Sequence, residues 1–303
     1  MPRRDRLDAL AIGLVVVLCA LSGVQQVSVK VATADGLPPL LQCALRSAGA
    51  AVLCALWIGR RGGLRAALGD ARAARAGLLT ALLFGTEFMA MYVGVQRTSA
   101  SRAVLFLYIS PFVTALGAHF LLPEERLRPA QALGLAIAFA GLVAAFGEGV
   151  AGGRGALAGD ALCALAGALW AATILVIKAS PSLRRATPAG LLLYQLAGSV
   201  PLLLAGAALR GEFAAPLHPG ALAWASLFYQ TAIVAFASYL AWFWLLLEYP
   251  AGRLSAFTFL VPLFGVLAGG LLLGETLSFG LLAGLLAICA GLRLINRPAP
   301  AAA

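Results

Sequence analysis

Four ionisable side chains, Lys30, Arg46, Glu87 and Lys178, stand within or at the ends of long apolar runs. An ionised group at bilayer depth costs roughly 2.5 kcal/mol or more, so each must pair, reach the interface or face water. Arg46 and Glu87 lie deepest, and three roles suit that combination. A guanidinium can hold a carboxylate in bidentate fashion while the acid takes an amino group, which together would bind a zwitterion. The same two charges could instead neutralise each other and hold two helices together. Glu87 could also titrate and so couple the movement of a solute to protons. Lys30 and Lys178 sit at run ends, where a long stem lets the ammonium reach the interface, so an anchoring or mouth position is expected of both.

Polar and aromatic residues surround these charges at helical spacing. Ser22, Gln26 and Lys30 are four apart, as are Gln42 and Arg46, so each set forms one stripe on its helix. With Gln26, Arg46 and Glu87, the candidates to line a solute-binding cavity are Tyr92, Tyr108, Ser110, Trp170, Tyr194, Gln195, Gln230 and Trp242. Some of the aromatics must instead belong to the interfacial belt or face lipid. Pro111 and Pro262 fall in mid-run, where each removes a backbone donor, and are candidate hinges.

No catalytic set accompanies them. His119 and His218 are isolated, no serine lies in a GxSxG turn, and no GxxxxGK loop exists, Lys30 and Lys178 being the chain's lysines. Neither an enzyme nor nucleotide hydrolysis is expected. Cys19, Cys43, Cys54, Cys163 and Cys289 lie inside apolar runs without CxxC spacing and read as small apolar fillers. Neither a metal nor a cofactor is expected.

The elements that position these residues are membrane helices. With 62% apolar residues, 11% charged and a mean hydropathy of +0.94, the chain cannot surround one core with a soluble surface. Ten runs are long enough to cross a bilayer as helices. They fall near Leu7 to Ala32, Leu40 to Ile58, Ala73 to Val95, Ala103 to Leu122 and Pro129 to Phe146, then Ala161 to Ala179, Ala189 to Leu209, Ala221 to Leu247, Leu254 to Leu273 and Phe279 to Ile295. The first is too long, and too polar at Gln25, Gln26 and Lys30, for a cleaved signal peptide.

The net charge of +10 is unevenly spread. With the N-terminus inside, Arg3, Arg4, Arg6, Arg60, Arg61, Arg65, Arg72, Arg75, Arg126, Arg128, Arg184, Arg185, Arg253, Arg293 and Arg297 all lie on the inner side, against Arg97, Arg102, Arg154 and Arg210 outside. That bias predicts a multi-pass protein with both termini cytoplasmic, and it explains the basic charge without a nucleic-acid partner.

The second half repeats the first. Pro39 and Arg46 are seven apart, as are Pro188 and Gln195, with Gly49 and Gly198 three further on. Arg102 and Pro111 match Arg253 and Pro262 at a spacing of nine. Glu125, Leu127, Gly134 and Gly141 are echoed by Glu275, Leu277, Gly284 and Gly291, and Lys30 by Lys178. Five spans per copy is an odd number, so residues 1–152 and 153–303 form two copies inverted in the membrane. The fold class is an all-α membrane protein of ten spans. Counterparts of Lys30, Arg46 and Glu87 are Lys178, Gln195 and Ser238, so the second copy lacks the acid and one base.

This combination resembles the drug/metabolite transporter superfamily, in particular its ten-helix EamA type: Lys closing the first helix of each half, Pro then Arg or Gln in the second, a mid-helix Pro in the fourth, and Glu-x-Leu opening the fifth. The likeness spans about Asp8 to Asn296. It departs where many relatives have Trp-Gly in the first helix and this chain reads Leu21, Ser22, Gly23; the second half keeps Trp170 without the glycine. The resemblance implies export of amino acids or similar small metabolites through a cavity walled by the first four helices of each half. The fifth and tenth would be peripheral and serve packing or a homodimer. The reading is therefore a secondary carrier in a bacterial cytoplasmic (inner) membrane, with a small-molecule substrate, a lipid bilayer around it, and protons or an exchanged solute for energy. An importer or exchanger of similar solutes and a non-transporting scaffold are the alternatives.

Overall fold

Helices succeed one another with short turns, and no strand occurs among the described residues of the computed structural model, which are 7–63, 67–68, 71–146, 157–214, 217–273 and 279–297. Arg3, Arg4, Arg6, Arg65, Arg154, Glu275, Leu277 and the boundary at 152/153 lie outside them. Among the described residues nine helices are long and apolar enough to span a membrane, and the 17-residue Phe279–Ile295 completes the tenth span beside the 18-residue Pro129–Phe146. The protein is a multi-pass membrane protein.

The first three spans are α1 (Ala9–Ala34), α2 (Pro39–Arg61) and α3 (Ala71–Val95). The fourth is broken into α4 (Ala100–Leu107) and α5 (Ser110–Leu121), and the fifth is α6 (Pro129–Phe146). In the second half come α7 (Leu157–Ala179) and α8 (Pro188–Leu209). The eighth span runs as α9 (Ala221–Phe228), a π-helical segment (Tyr229–Ser238) and α10 (Tyr239–Glu248). The ninth is α11 (Ala251–Ala256), a 3-10 turn (Phe257–Phe259) and α12 (Leu260–Leu273), and the tenth is α13 (Phe279–Ile295).

Local chemistry sets the helix ends. Asp8, Ser99 and Thr187 cap α1, α4 and α8 by accepting from the amides of Ala11, Arg102 and Gly190. Proline opens α2 and α8, where its missing N–H costs nothing. Gly62, at φ 133°, stops α2 in a conformation closed to other residues. Pro111 and Pro262 lie near the start of α5 and α12, immediately after the breaks in the fourth and ninth spans.

Equivalent glycines of the two repeats make close approaches to the opposite half. A Cβ on Gly49 would lie 2.8 Å from Thr231, so α2 meets the eighth span, and one on Gly198 would lie 2.6 Å from Ala81, so α8 meets the third. In the fifth and tenth spans the equivalent glycines trade partners. A Cβ on Gly134 would sit 2.7 Å from the Gly291 carbonyl, and one on Gly141 would sit 2.7 Å from that of Gly284. Large apolar side chains such as Phe120, Leu209, Leu271 and Phe279 are exposed on the outside of the bundle, where lipid covers them.

The two ends of the bundle differ. On the end carrying Glu125, the half-helices α5 and α11 pack against each other. On the end carrying Asp35, α4 packs on α6 and α7 while α12 packs on α1 and α13, and no packing of that extent joins α4 to α12 among the described residues. On the Asp35 face the fourth and ninth spans thus pack on different neighbours.

Candidate functional site

Arg46 is only 1% exposed and Glu87 7%. The guanidinium carbon lies 4.6 Å over the ring of Phe88, the residue after Glu87. Cys43, Tyr92 and Tyr239 are its electrostatic neighbours. Yet Nε and Nη2 of Arg46 and Oε2 of Glu87 have no hydrogen-bond partner, and the two residues make no ion pair within 4.0 Å among the described residues. The two charges act on each other through space without direct contact. Helical spacing explains the surroundings: Phe84, Phe88 and Tyr92 follow every four residues along α3. Phe84 meets Phe88 at 4.7 Å and Tyr239 at 6.2 Å between ring centroids, and Phe88 meets Tyr92 at 6.3 Å. Two charges with open valences therefore sit against an aromatic wall.

One turn nearer the Asp35 face, a buried amide network closes over α1, α2 and the eighth span. Gln42 Nε2 donates to the Leu37 carbonyl at 2.6 Å and to Thr33 Oγ1 at 3.0 Å. Gln230 Nε2 donates to Gln42 Oε1 at 3.0 Å and reaches Ser28 Oγ at 3.5 Å. Gln230 is the second residue of the π-helical segment, a wider coil often found at functional sites. The segment contains neither Gly nor Pro, so nothing in the local sequence marks it. Trp170 and Trp242 stack at 6.0 Å, and Trp170 packs against the apolar clusters of both ends.

A profile of the EamA-like transporter family matches residues 9–147 and again 157–297, once for each half. The chain belongs to the EamA-like transporter family. An uncharacterized transporter, YvbV of Bacillus subtilis (strain 168), is 28% identical over 221 residues, covering 72% of this chain and 70% of that protein. A solved crystal structure superposes with a TM-score of 0.76 over 94% of this chain and 97% of that one, at 18% identity, a likeness of fold.

The other candidates of this EamA-like transporter divide sharply. Tyr194 is removed from the cavity set: its ring packs where a Cβ on Gly77 would lie, 2.4 Å away, and its hydroxyl donates to the Leu68 carbonyl at 3.0 Å. Gln195, the counterpart of Arg46, is fully buried with both amide atoms unpartnered. Gln26 is exposed and touches the position a Cβ on Gly265 would take. Tyr108, Ser110, Pro111 and Pro262 are buried around the broken spans. Among the described residues, no group of three or more His, Cys, Asp or Glu could hold a metal ion. All five cysteines are free thiols, four of them buried and Cys289 exposed.

Lys178, expected at an anchoring or mouth position, is enclosed at the end of its span instead of exposed. It is 0% exposed and donates to the carbonyls of Leu246 at 3.0 Å and Tyr249 at 2.8 Å, with Glu125 Oε1 2.9 Å away. Glu125 Oε2 accepts from the Ala251 amide at 2.6 Å and so caps α11. Tyr249 in turn donates to Asp8 at 3.0 Å, which ties α1 to the same cluster. The sequence pattern marked Glu125 only as part of the repeat. Lys30, the counterpart in the first half, is exposed. The EamA-like transporter is thus latched across its halves at the Glu125 face.

Proposed function

We propose that this chain is a secondary carrier that exports a small polar or zwitterionic, amino-acid-like metabolite across a bacterial cytoplasmic membrane by alternating access. The observation that supports this most is Arg46: a buried guanidinium with two unpartnered nitrogens, beside a carboxylate with an unpartnered oxygen. Burying such groups without partners is costly, and a solute bringing a carboxylate to Arg46 and an ammonium to Glu87 removes the cost on both sides. The stacked Trp170 and Trp242 and the rings of Phe88 and Tyr239 supply the apolar remainder of the wall.

In this reading the Glu125 face is cytoplasmic, as the exposed Arg60, Arg61, Arg184 and Arg185 support, and both termini lie there. The face where α4 and α12 pack on different neighbours is then the outer one. Transport breaks the Lys178–Glu125 latch and closes α4 onto α12, with residues 1–152 and 153–303 acting as the two moving halves and Pro111 and Pro262 at the bends. A gradient or an exchanged solute drives the cycle, and Glu87 is the group placed to carry a proton.

The test is to express the wild type and Glu87→Gln in otherwise identical hosts and compare the external metabolites by mass spectrometry. One compound class accumulating outside only with the wild type is the expected result. Unchanged media despite confirmed membrane insertion would overturn export and favour uptake.

A further inference from the structure

A half-open groove lies outside the central site, on the flank of the bundle at the Glu125 face. It has a volume of about 600 Å³ between the end of α2, the start of α8 and the eighth span. Its apolar lining includes Ile58, Ala189, Ala237, Leu240 and Ala241, together with Trp57 and Trp244. Arg61 stands at the mouth with its guanidinium carbon 4.1 Å over the Trp57 ring, and Arg60 beside it is exposed. Ala237 is 11 residues from the end of α10 at Glu248, a depth of about 16 Å at 1.5 Å per residue. That is about one leaflet of a roughly 30 Å hydrocarbon core.

We infer that this groove is a binding site for one anionic phospholipid. Its length and apolar lining take an acyl chain, and Trp57 and Trp244, each four residues from a charged helix end at Arg61 and Glu248, would sit where acyl chain and headgroup meet. Charge complementarity selects the headgroup: Arg61 makes no ion pair among the described residues, and a phosphate diester with a net negative charge would satisfy it in bidentate fashion. The bound lipid would press on α2 and on the π segment, the elements that carry Arg46 and Gln230. The inference requires only that the chain lies in a bilayer, so it stands or falls separately from the solute reading.

Native mass spectrometry of the purified full chain, mixed with equal amounts of phosphatidylglycerol and phosphatidylcholine, tests it. The wild type should retain phosphatidylglycerol over phosphatidylcholine by about fivefold, the preference expected from one arginine near the surface. Arg61→Gln, an exposed substitution that leaves folding intact, should abolish the preference. Ala241→Trp, which fills the groove, should remove the bound lipid, with the melting temperature checked to confirm a folded chain. Equal retention of the two lipids, or a preference surviving in R61Q, would overturn the proposal. So would a dimer that A241W abolishes without any lipid preference, since the groove would then belong to a second copy.

Discussion

Arg46 and Lys178 are two equally buried cations in opposite halves of the chain, and their surroundings have little in common. Lys178 is held by two carbonyls and a carboxylate, all within 3.0 Å. Arg46 lies over an aromatic ring with two nitrogens unpartnered. Burial by itself thus says nothing about role. A saturated cation is part of the scaffold, whereas an unsaturated one keeps its hydrogen-bonding capacity for something that arrives later.

The largest effect should come from breaking the saturated cluster. Lys178→Met leaves Glu125 charged and enclosed, with its ion-pair partner gone, and should lower stability by about 3–5 kcal/mol. Thermal unfolding in detergent, followed by tryptophan fluorescence, measures it. The double variant Lys178→Met with Glu125→Gln removes both charges and should recover a large part of the loss. If the double variant is as unstable as the single, the ion pair is not what holds this face together.

Arg46 should behave in the opposite way. Arg46→Met combined with Glu87→Gln removes both charges and leaves no lone buried carboxylate, so stability should change by less than about 1 kcal/mol or rise. Transport should fall at least about thirtyfold, the scale of losing a desolvated charge contact. Joint measurement of melting temperature and solute flux separates the two outcomes. A large loss of stability would place Arg46 in the scaffold beside Lys178 and remove the main support for the solute site.

The same contrast explains which parts were readable in advance. The spans, their number, the repeat and the embedded charges all follow from composition and spacing along the chain, because a bilayer admits few alternatives to a helix. Partners across the halves do not. Glu125 and Lys178 are 53 residues apart, and Glu212 lies 171 residues from the Leu41 amide it caps. No local pattern encodes such pairs. The snorkelling expected of Lys178 was reasonable for a span end, where the breaks at α10 and α11 instead offered free carbonyls and a capping acid at the same depth. Tyr194 was misplaced for a related reason: its position on α8 was legible, but Gly77 on another helix decided that the ring would serve packing. The π segment left no trace, since its residues are ordinary helix formers.

The smallest effect concerns the Asp35 face, where two caps cross between the halves. Asp35 Oδ2 accepts from the Ala223 amide at 2.8 Å, and Glu212 Oε2 accepts from that of Leu41 at 2.8 Å, with Oε1 3.3 Å from Leu40 N. Each carboxylate meets the positive end of a helix from the opposite half. Asp35→Ala and Glu212→Ala should therefore cost about 1 kcal/mol each, well below the Lys178 variant. Their value lies in locating the motion. These caps join the α1–α2 turn to the α8–α9 connection, away from α4 and α12. If movement is confined to the fourth and ninth spans, both variants should melt slightly earlier and transport at an unchanged rate. A marked change in flux from either would mean that the caps open during the cycle, and that the Asp35 face moves as a whole.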